Sequence, residues 1–383
     1  MPRATTADLN PSDPPAHPPR RPAVEPAARR LQRMGSVTMG VSLPREWVHA
    51  QGLGLGSPVV VEPRPDGALL VRGRPADDPA RVASITVRVD RPREHLFRRL
   101  VAAYLDGARE FHVTEPGGLS PETRAAARAF VRRTVQPEIV SEEGSRLHLR
   151  DVSRGEELAL APLLRRMHQV VQGLHASAVA ILDGVEDAPA ESWANRDDEV
   201  DRYAWLVERI LTLRALALEG STLRPFGGPA QVRVVVRSLE RIADHALLIA
   251  EHGTAWAETS PPARLVRSVA EFHAQALTLL AQAFAAAEAG DADTANDLLD
   301  TGEALHAQHR TLVETAFTRR EGAPLPPAGA VALALTLQSV DRTVAYAQDI
   351  AEAALDAGVR LDGAGADPSL SSIATERGGQ NQR

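Results

Sequence analysis

The chain contains no cysteine. Disulfides, thiolate metal sites and thiol catalysis are therefore excluded, and any bound metal must take oxygen or imidazole ligands. Aromatic residues make up only 4% of the 383 positions. The core must then be built from small and straight-chain side chains, which favours packed helices. No apolar run reaches the roughly 18 residues that suggest a membrane-spanning helix, and the first residues lack the apolar stretch of a secretory signal. These absences point to a cytoplasmic protein that does not span a membrane. A Walker phosphate loop, a dinucleotide fingerprint and a nucleophile elbow are also missing. No residue stands out as catalytic, and the chain reads as a non-enzyme.

What is present is unevenly distributed. Hydrophobic residues reach 44% and the net charge is −7, enough for two or three domains with real cores. Residues 1–75 carry ten arginines against six acidic residues, whereas the remainder is strongly acidic. A basic head on an acidic body suggests that the head meets an anion such as nucleic acid.

Residues 1–27 are proline-rich and poor in large apolar side chains, the composition of a disordered tail. Residues 28–75 form a compact unit. A turn at Gly35 leads to a strand through Thr38, Val41 and Leu43, and Pro44 opens a short helix that Gly52 ends. Val59 to Val61 and Leu69 to Val71 form a hairpin around Pro65-Asp66-Gly67. This unit is too small for a good core, so intertwining with a second copy, a homodimer, is expected. Residues 80–153 read as a small α/β sandwich of order β-α-β-α-β-β, with no chemical motif in it.

Residues 156–360 are almost wholly helical and repeat. Leu174-His175-Ala176 resembles Phe272-His273-Ala274, offset by 98, and Leu239-Glu240-Arg241 resembles Val340-Asp341-Arg342, offset by 101. Such a duplication gives two tandem three-helix units, 156–258 and 259–360. The overall fold class is mainly α, preceded by half of a small swapped-hairpin β-barrel and the α/β sandwich. Residues 361–383 read as a second disordered tail.

The segment Leu239-Glu240-Arg241-Ile242-Ala243-Asp244-His245 carries the sharpest chemistry. Leu239, Ile242, Ala246 and Ile249 step by helical spacing and form a buried stripe. Glu240 and Asp244 fall on another face, four residues apart, as do Asp197 and Asp201 one helix earlier. Antiparallel packing would bring these four carboxylates towards one hard cation. Spacing alone favours a solvated acidic face balanced by Arg241 and Arg202. The segment resembles the signature of the PhoU family, and Asp197 to Asp201 is similar to that family's other acidic motif. The resemblance implies two three-helix repeats and a divalent or iron-type metal at Asp197, Asp201, Glu240 and Asp244. In the second repeat Asp300 and Asp341 are retained but Asn296 and Ala345 replace acids, which implies a weaker second site.

The N-terminal pattern Arg33-Met34-Gly35-Ser36-Val37-Thr38, then Val41-Ser42-Leu43-Pro44-Arg45-Glu46-Trp47, resembles AbrB/SpoVT/MazE modules. These imply a dimeric swapped hairpin that lays Arg29, Arg30, Arg33 and Arg45 on DNA phosphates. The pairing of such a head with a PhoU-like body is similar to archaeal-type phosphate-uptake regulators. It implies a phosphate transporter component or signalling protein as partner. Two other readings remain open. One is a dimeric adaptor that does not bind DNA. The other is a di-iron carboxylate enzyme, for which Glu303-x-x-His306 would be half of the ligand set.

Overall fold

The computed structural model describes residues 28–36, 38–63, 67–73, 82–86, 94–152, 159–182, 190–216, 226–318 and 325–358. The tails expected at 1–27 and 361–383 lie outside the described residues, as do Pro65, Asp66, Val87 and Val89. The chain divides into two units, Met1–Pro79 and Ala80–Arg383.

In the first unit β1 (Gln32–Arg33) pairs antiparallel with β2 (Met39–Gly40), and α1 (Arg45–Ala50) follows. Then β3 (Val59–Pro63) pairs with β4 (Leu69–Gly73). Pro44 precedes α1, and Gly52 closes its end with φ +64°, a conformation that costs glycine little. The strand after Gly35 is shorter than the sequence suggested. Only Met39 and Gly40 pair, with Arg33 and Gln32. The two hairpins are separate two-stranded sheets, so no barrel closes among the described residues. Helix α1 buries no side chain. Leu31, Met34, Met39, Leu55 and Leu69 are all exposed. A two-stranded hairpin with bare apolar residues is marginally stable by itself.

The second unit begins with the sandwich: β5 (Val82–Thr86), α2 (Glu94–Leu105), β6 (Glu110–Thr114), α3 (Pro121–Arg133), β7 (Pro137–Glu143) and β8 (Arg146–Asp151). The sheet order is β5-β6-β8-β7, with β5 and β6 parallel and the remaining pairs antiparallel. Ser120 caps α3, its Oγ accepting from the Thr123 N–H at 3.2 Å, with Pro121 at the first position. Period-two alternation sends Phe111, Val113, Leu147 and Leu149 into a core with Leu100, Tyr104 and Phe130. Their neighbours Glu110, His112 and His148 stay at least partly exposed and point to the opposite face.

Six long helices follow: α4 (Leu160–Leu182), α5 (Ala190–Leu216), α6 (Pro229–Ala257), α7 (Ala263–Ala289), α8 (Ala292–Thr318) and α9 (Pro327–Gly358). They form two consecutive three-helix units that share one apolar core. In α6, Leu239, Ile242, Ala246 and Ile249 are fully buried, as their spacing requires. The duplicated His175 and His273 meet inside this core, both fully buried, with His175 Nδ1 and His273 Nε2 2.8 Å apart. His175 Nε2 lies 3.0 Å from the Ile242 carbonyl oxygen. A carbonyl only accepts, so His175 donates from Nε2 and accepts at Nδ1, and His273 must donate from Nε2. Burial disfavours the charged form of both rings, and His273 Nδ1 is buried without a partner.

Candidate carboxylate site on the helical bundle

The first repeat places its acidic residues where α5 and α6 run side by side. Arg237 on α6 bridges Glu208 of α5 at 2.7 Å and Glu240 of its own helix at 2.8 Å. Further along, Asp244 of α6 feels the charge of Asp201 of α5. As α5 advances from 201 to 208, α6 retreats from 244 to 237, so the helices are antiparallel, as the convergence of carboxylates requires. Asp198 and Asp201 both receive Arg133 Nη2, at 2.8 and 2.9 Å. That guanidinium comes from the end of α3 and also lies over the rings of Phe97 and Trp205. The side chain of Asp197 lies outside the described residues.

Asp244 is the least neutralised of the group. Its nearest cation is Arg241 Nη1 at 3.9 Å. Burial first, then repulsion by Glu240 and Asp201, push its carboxyl above the usual range, against the pull of Arg241. The donor set is all oxygen and crowds carboxylates around Asp244, so it fits a hard cation better than an imidazole-preferring one. The three oxygens are not drawn tightly together. Among the described residues, the trio whose ligand atoms all lie within 4.8 Å of one another is Glu110, His112 and His148 in the sandwich.

Residues 164–252 match the PhoU domain. That span runs from α4 through most of α6 and holds Asp197, Asp201, Glu240 and Asp244. The crystal structure of PhoU from Pseudomonas aeruginosa is similar at 21% identity and a TM-score of 0.46, over 51% of this chain and 93% of that one. No curated protein matches the chain.

Outside the PhoU-matching segment, the second repeat differs in chemistry. Asp300 is exposed. Asp341, at the place of Glu240, faces two imidazoles: His306 Nδ1 at 2.6 Å and His309 Nδ1 at 3.3 Å. His306 Nε2 faces Gln348 Oε1 at 2.9 Å, while the Gln348 amide donates to the Leu299 carbonyl at 3.1 Å. Glu303 is exposed, so the half motif Glu303-x-x-His306 is split and His306 turns to Asp341 instead. The sequence reading passed over Arg133, His306 and His309 as partners of these acids. The four N-terminal arginines, Arg29, Arg30, Arg33 and Arg45, are all exposed. Among the described residues, no helix is long and apolar enough to cross a membrane.

Proposed function

We propose that the chain is a PhoU-type phosphate-uptake regulator rather than an enzyme, and that its bundle holds a divalent or iron-type cation and its N-terminal unit binds DNA as a homodimer. The observation that carries this reading is the PhoU domain match over 164–252, with Asp201, Glu240 and Asp244 close enough to interact inside it. Asp197, Asp201, Glu240 and Asp244 would hold the cation, with Asp300 and Asp341 as a weaker second site. A bound cation relieves the repulsion at Asp244 and joins α5 to α6. A phosphate transporter component or signalling protein is the partner such a bundle would meet.

Arg133 competes with the cation for Asp201. Its replacement by alanine removes one positive charge from the site, and Mn²⁺ affinity should rise roughly tenfold, since about 1.4 kcal/mol is the scale of one charge a few ångströms away at high effective dielectric. Isothermal titration of wild type and Arg133→Ala with Mn²⁺ measures this. Unchanged affinity would place the cation away from Asp201.

The homodimer follows from the bare apolar residues of the first unit, which a second intertwined copy would cover. Exposed arginines would then sit on DNA phosphates. With about eight phosphate contacts per dimer, DNA affinity should fall on the order of a thousandfold or more between 50 and 200 mM salt. Replacing Arg29, Arg30, Arg33 and Arg45 by alanine should flatten that dependence. Fluorescence anisotropy across a salt series checks it. A dimer with no salt-dependent DNA binding would favour the adaptor, for which the same apolar surface is only a clamp.

A further inference from the structure

The α/β sandwich carries a cluster that the carboxylate site does not use. Strands β6 and β8 pair so that His112 stands opposite His148 and Glu110 opposite Arg150. These residues occupy the face of the sheet turned away from α2 and α3. Their alternate neighbours, Phe111, Val113, Leu147 and Leu149, do the core packing, so no packing duty explains the cluster. The two imidazole rings stack, with centroids 4.6 Å apart and planes 12° from parallel. His148 Nε2 contacts Glu110 Oε2, and Arg150 Nε donates to Glu110 Oε1 at 2.7 Å.

We propose that Glu110, His112 and His148 form a binding site for a first-row divalent cation of the zinc class. Each of the three offers one ligand atom, and these atoms already lie within 4.8 Å of one another. Zinc binds imidazole nitrogen and carboxylate oxygen at about 2.0–2.2 Å, so its ligand atoms sit about 3 Å or more apart, inside the span seen here. The cation enters between His148 Nε2 and Glu110 Oε2 and replaces the hydrogen they share, which leaves to solvent. His112, exposed and stacked on His148, supplies the third ligand. Arg150 stays on the other oxygen of Glu110 and fixes its direction, the part that an outer hydrogen bond plays in metal sites. The donor set also separates this site from the bundle's. Two imidazoles and one carboxylate suit zinc, nickel or copper, whereas carboxylates alone suit magnesium, manganese or calcium. Three protein ligands leave a tetrahedral ion one position for water or an incoming group.

The test uses the full chain without an affinity tag, in the Glu240→Ala/Asp244→Ala/Asp341→Ala background so that both carboxylate sites are silent. Zn²⁺ is titrated calorimetrically, and Co²⁺ is followed by its visible absorption. One ion per chain is expected. His112→Ala should weaken Zn²⁺ at least tenfold and abolish the Co²⁺ band, and His148→Ala should do the same. His306→Ala, at the other imidazole cluster, should change neither. Because His112 is exposed, its alanine variant should keep the parent's thermal midpoint. Absence of Zn²⁺ binding in the parent, binding that survives His112→Ala, or binding lost in His306→Ala would each overturn the assignment. The failure of the carboxylate sites would not affect this result, since those sites are already removed.

Discussion

Replacing Arg209 by methionine should cost about 3–5 kcal/mol of stability, the penalty for leaving one partner of a buried ion pair alone. Arg209 lies on α5, yet its guanidinium is buried against the sandwich. Its Nη2 donates to Asp151 Oδ2 at 2.6 Å, with both side chains nearly inaccessible. Its Nη1 donates to the Tyr104 carbonyl, and its Cζ lies 4.4 Å from the Tyr104 ring centre. The methionine variant strands the Asp151 carboxylate in a region built around a cation and removes one of the links between sandwich and bundle. A double variant, Arg209→Met with Asp151→Asn, removes both charges and should recover a large part of the loss. Urea denaturation midpoints of the three proteins measure this. A single-variant loss below about 1 kcal/mol, the range of exposed pairs, would mean that the pair is hydrated in solution.

The bundle should also lose stability in mild acid. Burial holds His273 at about 4 and His168, stacked on Phe284 at 4.2 Å, at about 4 against an opposing pull from Glu288. Burial also pushes His175 well below the ordinary value, reinforced by His273 and His245 and opposed by the Ile242 carbonyl. An unfolded histidine titrates near 6.5. These groups therefore contribute stability that is present above pH 6.5 and is lost as pH falls towards 4, because the unfolded chain takes up protons that the folded core refuses. Between pH 7 and pH 5 the loss is about 2 kcal/mol for each of His168 and His273. Protonation of His175 at Nδ1 also sets two N–H donors against each other, and protonation of His273 puts a charge-bearing N–H on the buried Nδ1 that has no partner. His273→Phe should flatten the pH dependence even if it lowers stability at pH 7. The check is unfolding free energy against pH for both proteins. A flat wild-type profile across this range would show that the histidines charge without unfolding the core.

Much of the bundle was legible from α6 alone. Steps of three and four at Leu239, Ile242, Ala246 and Ile249 fix which face is buried, and the same arithmetic places Glu240 and Asp244 off it. The duplicated His175 and His273 marked the two repeats. Their direct contact was not legible, since nothing in either segment says that α4 and α7 bring them face to face. The partners of the acidic residues were hidden for a related reason. Arg133 belongs to α3, 68 positions before Asp201, and only the docking of the sandwich on α5 brings it there. His306 and His309 gain meaning only once α8 packs on α9 and Asp341. The Glu110–His112–His148 cluster needed the β6–β8 register. Glu110 and His112 share a strand face at a spacing of two, but nothing local in the sequence pairs them with His148. In the N-terminal unit the glycine and proline signals placed the helix and the second hairpin correctly. The pattern Thr38, Val41 and Leu43 suggests a longer strand than the two residues that pair with Gln32 and Arg33.

Metal content tests the central claim most directly. Protein purified without chelator, as wild type and as Glu240→Ala/Asp244→Ala, would be measured for iron, manganese and magnesium before and after reconstitution. The account predicts bound metal in the wild type that the double variant loses, while any zinc at the sandwich is retained. No iron, manganese or magnesium in either protein after reconstitution would contradict the carboxylate site and leave the bundle a helical adaptor.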